Sequence, residues 1–277
     1  MEYNEYRTKK KYNMVAFSFG GGVQSTALLM LINHNPQLLL NKVGHIPDYA
    51  YFADTGLEPE IVYEHIDKLE NDNLFDFMPL RKIETKLYDH LYSPPYFVVD
   101  ENKKVSQLRR QCTGNHKIKP IRKSIREDYK KQQNYSLKSN SVGMWLGIST
   151  DEIQRMKESH LKYIEAIFPL IEIGWSRNDC YQYLESLGWN NVPKSACYMC
   201  PYSNWKKIKK ERPDDFEKAV EFENWLINNY KDIKYLKNRT GTPMINNKGI
   251  PLSEQNFSKI AENDDYMNEE CDGMCGL

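Results

Sequence analysis

The feature that most narrows the fold is an apolar run, Met14 to Phe19, that ends abruptly in Gly20-Gly21-Gly22 and passes at once into Gln24-Ser25. A short apolar run closed by turn residues reads as a buried strand, and Leu28, Leu29 and Ile32 then share one side of a helix over Ser25 to Ile32. Three glycines at that junction let backbone amides approach an anion closely, and the helix N-terminus adds a positive partial charge. The alternative is a tight glycine turn without a ligand. The spacing is neither a Walker loop, which needs Gly-Lys-Ser/Thr, nor the G-x-G-x-x-G dinucleotide fingerprint.

The elements that follow keep alternating. Tyr49 to Phe52 reads as a second strand ending in Asp54-Thr55-Gly56, and Val62, Ile66 and Leu69 mark a helix. A third strand is expected near Phe77 to Leu80. The polar, aromatic, proline-bearing segment 84–108 reads as an inserted loop or lid. Lys117 to Tyr129 is an amphipathic helix with Ile118, Ile121, Ile125 and Tyr129 in line, and Pro120 fits in its first turn. Val142 to Ile148 reads as another buried strand. Ser176 caps a helix that runs to Leu187 and is closed by Gly188, and Pro213 opens a last long helix through about Tyr230. This order predicts an α/β fold, an open, mostly parallel twisted sheet with helices on both faces. Residues 1–238 are expected to form that domain, and the Asn- and Gly-rich stretch 239–277 an irregular tail.

A chain of 277 residues can bury one substantial core, or at most two small ones. Its 38 basic and 38 acidic side chains cancel, which removes the global electrostatic argument for a nucleic-acid binder. The local run Arg109, Arg110, Lys117, Lys119, Arg122 and Lys123 is either a solvated helix face or an anion-binding rim. No stretch approaches the roughly 20 apolar residues that span a bilayer, so no membrane partner is expected. The first residues lack the apolar core of a signal peptide. The expected compartment is therefore the cytosol, where the six cysteines serve metal binding or redox chemistry rather than a disulfide framework.

Cys197-Tyr198-Met199-Cys200, followed by Pro201, presents two thiols from one turn. Such a pair suits zinc, an iron–sulfur cluster or a redox dithiol, and the spacing does not choose among them. Cys112 is the apposite partner, beside His116 and Lys117. Cys271 and Cys275 lie at the chain's end, where a thiolate can serve as a nucleophile or a metal ligand. Cys180, within a helix beside Tyr181, reads as buried packing.

Taken together, these segments resemble a known family. Ser18-Phe19-Gly20-Gly21-Gly22-Val23-Gln24-Ser25 resembles the PP-loop of adenine nucleotide α-hydrolase-like proteins, Ser-Gly-Gly-x-Asp-Ser, with Gln24 in place of the aspartate. In that respect it is closer to sulfonucleotide reductases. Ala53 to Glu60 resembles the Asp-Thr-Gly-x-x-x-Pro-Glu-Thr stretch of phosphoadenosine phosphosulfate reductases. Gln111 to Ile121 is similar to the Cys-Cys-x-x-x-Lys-Val-x-Pro-Leu stretch of cluster-bearing adenylyl-sulfate reductases, with Thr113 at the second cysteine. Trp145 to Arg155 corresponds to their Gly-x-Arg-Arg-x-x-Ser-x-x-Arg region, but only Arg155 remains of its arginines. Glu270-Cys271 and Cys275-Gly276-Leu277 resemble the two ends of their C-terminal Glu-Cys-Gly-Leu-His segment, without the histidine.

The resemblance covers most of residues 14 to 210 and the tail, and it implies a member of the phosphoadenosine phosphosulfate reductase family. It implies an adenine nucleotide (phosphoadenosine phosphosulfate, adenylyl sulfate or ATP) held by Ser18, Gly20, Gly21, Gly22, Gln24, Ser25, Asp54, Thr55, Gly56, Gly147 and Arg155. Cys112, Cys197, Cys200 and Cys271 would hold a four-iron four-sulfur cluster (4Fe-4S), with zinc as the alternative metal. Lys117 and Cys275 would be catalytic, Cys275 attacking the sulfate sulfur and a thioredoxin-like dithiol completing the reduction. Two alternatives stay open. One is an ATP-using enzyme with magnesium that inserts sulfur into, or modifies, DNA or tRNA. The other is a nucleotide-binding regulator with structural zinc and no catalytic role.

Overall fold

The opening apolar run is a strand, β1 (Met14–Ser18), and it leads through the glycines into α1 (Val23–His34). The computed structural model describes residues 11–85, 87, 93–133, 137–139 and 141–257. There follow α2 (Pro36–Val43), β2 (Tyr49–Asp54), α3 (Glu60–Asn71), β3 (Leu80–Glu84), β4 (Phe97–Val99) and β5 (Val105–Gln107). A π-helical turn over Gly114–Ile118 feeds α4 (Lys119–Gln133), and β6 (Val142–Leu146) ends in a 3-10 turn over Thr150–Arg155. The chain continues through β7 (Ile164–Ile167), α5 (Pro169–Glu172), α6 (Arg177–Ser186), α7 (Trp205–Glu211), α8 (Pro213–Asn229) and β8 (Thr242–Met244).

Five strands form one open sheet in the order β3-β2-β1-β6-β7, and every neighbouring pair is parallel. The fold is therefore α/β, as the alternation of elements predicts. Because successive side chains point to opposite faces, β1 sends Val15 and Phe17 into one core and Met14 and Ala16 into the other. The first core is closed by Leu28, Leu29, Val62, Ile66 and Leu184, from α1, α3 and α6. The second is closed by Ile121, Ile125 and Tyr129 of α4. Both faces of the central strands are dry, which explains their unbroken apolar runs. Strand order reverses between β1 and β6, and the crevice at the carboxyl ends of those strands is where open α/β sheets hold ligands.

Three expectations need correction. The third strand lies at Leu80–Glu84, not near Phe77 to Leu80. It is an edge strand with a half-exposed face, so Arg81 and Lys82 hide its pattern, while Met78 reaches the core from the preceding turn. The segment expected as a loop carries β4 and β5, which pair antiparallel, and the stretch expected as an irregular tail supplies β8, pairing with β4. This small sheet depends on contacts between distant segments. Buried Glu223 of α8 completes it by accepting from the backbone amides of Ile245 and Leu252 and from Asn246 Nδ2. Among the described residues, no helix is long and apolar enough to cross a membrane.

Candidate functional site

At the β1–β6 reversal lies a pocket lined by Ser18, Phe19, Gly20, Gly22, Val23, Gln24 and Ser25 of the first strand–helix junction. Phe52 and Ala53 of β2, Leu146, Gly147 and Ile148 after β6, Lys117, Ile121, Arg155, Lys194 and Ser195 complete it. The glycines have two distinct reasons to be there. Gly21 has φ +73°, a left-handed conformation that side chains disfavour. Gly147 leaves little room for a side chain, since a Cβ would sit 3.3 Å from the Ser25 amide and 3.4 Å from Gln24 Cβ. The α1 N-terminus thus packs directly on the end of β6. The Ser25 hydroxyl folds back on the turn, accepting from the Gly22 amide at 3.1 Å and donating to the Gly22 carbonyl at 3.0 Å.

Lys117 enters from the π-helical turn, which turns His116, Lys117 and Ile118 inward together. Such turns recur at functional sites, because the extra residue redirects a side chain. His116 anchors the turn, with Nε2 3.2 Å from Ser93 Oγ and Nδ1 3.3 Å from the Thr85 carbonyl. Lys117 Nζ donates at 3.2 Å to Glu58 Oε1, and the Glu58 side chain has no solvent exposure. The same Glu58 oxygen accepts from Thr55 Oγ1 at 3.4 Å, while Oε2 accepts from Ser195 Oγ at 3.3 Å. Cys197 Sγ lies 3.5 Å from Thr55 Oγ1 and 4.0 Å from Glu58 Oε1.

A second carboxylate serves Gln24 and Arg155 of the lining. Gln24 Nε2 donates to Glu152 Oε2 at 3.0 Å, with Ser149 Oγ at 3.4 Å. Glu152 Oε1 pairs with Arg155 at 2.6 Å and with Arg177 at 3.0 Å. Amides at a helix N-terminus with Lys117, Lys194 and Arg155 around one crevice make a setting for a polyanion, and Phe52, Leu146, Ile121 and Ile148 supply apolar wall.

The structure thus gathers Ser18, Gly20, Gly22, Gln24, Ser25, Lys117, Gly147 and Arg155 of the expected residues around one pocket. Gly21, Asp54, Thr55 and Gly56 stand outside its lining. Asp54 shapes its own turn, accepting from the Gly56 amide and from the Tyr63 hydroxyl, each at 2.8 Å. Cys271 and Cys275 lie outside the described residues. The sequence reading missed Lys194, Ser195, Glu152 and Glu58 as site residues. Glu58 and Glu152 left a signal, as acids within the segments Ala53 to Glu60 and Trp145 to Arg155 already singled out.

Cys112, Cys197 and Cys200 pack against one apolar cluster beneath the small sheet. The Cys200 amide donates to the Cys197 carbonyl, and the Cys112 amide to the Ser93 carbonyl, each at 3.0 Å. The buried Tyr96 hydroxyl and Thr113 Oγ1 find no hydrogen-bond partner among the described residues. Burial, with Cys112 and Cys197 nearby, pushes the Tyr96 hydroxyl pKa well up. Soft thiols, apolar walls and orphaned hydroxyls suit a thiolate-held cluster in kind. Among the described residues, no group of three or more His, Cys, Asp or Glu side chains is disposed to hold a metal ion. Cys180 is fully buried against α1 and the sheet, and burial raises its thiol pKa to about 12.

No protein-family model matches the chain, and no curated protein matches it.

Proposed function

We propose that this chain is a PP-loop enzyme of the phosphoadenosine phosphosulfate reductase type, a cytosolic protein that takes an adenine nucleotide in the β1–β6 crevice and carries out sulfonucleotide reduction or sulfur transfer. One observation carries the reading. A glycine-loop anion setting and the Cys197 thiol lie on the two sides of the Lys117–Glu58 pair. The loop amides and the α1 N-terminus hold phosphate, and Lys117 and Arg155 draw the distal anionic group toward Glu58 and Cys197. The apolar wall excludes water from the rest of the ligand.

Cys112, Cys197 and Cys200 are the residues that would hold an iron–sulfur cluster, with Cys271 as the further thiolate. When bound, the cluster would supply redox-active or Lewis-acidic iron beside the pocket. In the reductase, the Cys275 thiolate forms a bond to the sulfate sulfur as the bond from sulfur to the phosphate oxygen breaks. The nucleotide leaves with that electron pair, and a thioredoxin-like dithiol then releases sulfite as it becomes a disulfide.

A second reading is ATP-dependent sulfur insertion into DNA or tRNA, and one observation favours it. Glu152 sets a carboxylate 3.0 Å from Gln24, the position where ATP-cleaving relatives of this loop carry aspartate, and so offers a group for magnesium.

Calorimetric titration of anaerobically purified protein with adenylyl sulfate, phosphoadenosine phosphosulfate and ATP separates these. Tight binding of a sulfonucleotide, with iron and sulfide present, supports the reductase. Magnesium-dependent binding of ATP alone supports the second reading. Binding of none of the three overturns both, and stoichiometric zinc without sulfide overturns the cluster.

A further inference from the structure

Glu58 touches the pocket and the thiol corner at once. Two of its partners, Lys117 and Ser195, line the pocket, while the other two, Thr55 and Cys197, lie outside the lining. We infer that Glu58 is a positioning residue that couples occupancy of the pocket to the Cys197–Cys200 turn, an inference that rests on the nucleotide-binding reading above.

The coupling follows from burial. A carboxylate with no solvent exposure has no water to replace a lost donor, so its donors move together or not at all. An anion in the crevice competes with Glu58 for the Lys117 ammonium and for the Ser195 hydroxyl. As either turns toward the ligand, Glu58 must lean on the Thr55 hydroxyl that remains, itself 3.5 Å from Cys197 Sγ. The cysteine turn is also tied to the same loop by backbone, since the Tyr198 amide donates to the Leu57 carbonyl at 2.9 Å. Leu57 is the residue before Glu58, so the carboxylate and the cysteine turn shift as one piece. Coupling between two sites is reciprocal, and a change at the thiols must therefore be felt in nucleotide affinity.

The test uses the full chain as purified, with its metal content measured and ATP and adenylyl sulfate as probes. Affinity is read by calorimetry, and the alkylation rate of half-buried Cys200 is read by mass spectrometry with and without nucleotide. In the native protein, saturating nucleotide changes the Cys200 rate by about fivefold or more, within the range of ordinary coupling energies. Glu58→Gln removes the competitor for Lys117, strengthens nucleotide binding about threefold to tenfold and abolishes that change. Thr55→Val keeps shape and leaves the pocket lining intact. It still binds nucleotide yet loses most of the Cys200 response. If Glu58→Gln does not fold, Thr55→Val carries the test. A full Cys200 response in a folded Glu58→Gln or in Thr55→Val overturns the positioning role while the nucleotide reading stands. A native protein that binds neither probe overturns the nucleotide reading and this inference with it.

Discussion

Glu152 holds Arg155 at 2.6 Å on the pocket rim while its other oxygen accepts from Gln24 at 3.0 Å. One carboxylate thus neutralises the rim arginine and props Gln24 of the glycine loop. Glu152→Gln keeps the size of the side chain and removes the charge that competes with an anionic ligand for Arg155. Affinity for adenylyl sulfate should rise about threefold to tenfold, with a steeper fall as salt is added. Calorimetry at two ionic strengths checks this, and unchanged affinity would remove Arg155 from the anion site.

The Lys117–Glu58 pair is sealed from water, with side-chain exposures of 10% and 0%. Breaking one half of such a pair strands a buried charge. Lys117→Met should cost about 3 kcal/mol or more of stability in nucleotide-free protein, and adding Glu58→Gln should restore part of it. Urea unfolding of the two single variants and the double variant measures the coupling. Additive losses would mean that the two charges do not sense each other.

Gly147→Ala tests the packing of α1 against β6. The new methyl must push the Ser25 amide and Gln24 Cβ away by a few tenths of an ångström. Stability should fall by about 1–3 kcal/mol and nucleotide affinity by about tenfold, because the loop amides are displaced from the phosphate position. Loss of stability with full affinity would show that the loop tolerates the shift.

His65 is buried, with Nε2 3.0 Å from Thr26 Oγ1 and its ring edge-on to Trp189. Burial, with Lys68 adding to it, lowers its pKa from 6.5 to about 4. The unfolded chain therefore takes up the proton first, so stability is full above about pH 6.5 and is lost as pH falls through 4. The loss is on the order of 3 kcal/mol. The urea midpoint of the native protein should drop across this window more steeply than that of His65→Gln. Parallel curves would show that another group sets the acid limb.

Cys180 should resist alkylation at pH 8 in folded protein and react once unfolded, since its thiolate is negligible with a pKa near 12. Peptide mapping after iodoacetamide reads this directly. Rapid native labelling would mean that α6 opens freely.

The main strands and helices could be read because their signals are local. Met14–Ser18 and Val142–Leu146 are apolar throughout since both faces are covered, and Val62, Ile66 and Leu69 recur at helical spacing. Leu80–Glu84 was misplaced because an edge strand shows water one face. β4, β5 and β8 were missed because three-residue strands take their stability from partners far along the chain. The β1–α1 wall of the pocket could be read from the glycine loop, whose backbone demand is written in residue type. Lys194 and Ser195 could not, because ordinary polar residues gain meaning only from what they face.

What the sequence determined by itself is the parallel α/β frame and the crevice at the end of its first strand, since periodicity and glycine placement are properties of neighbours in the chain. Only the tertiary structure decided that Glu58 sits unexposed between Lys117 and Cys197, and that Glu152 reaches Gln24. Those contacts join residues far apart in sequence. Their strength comes from removing water around charges that, on an open chain, would be screened from one another.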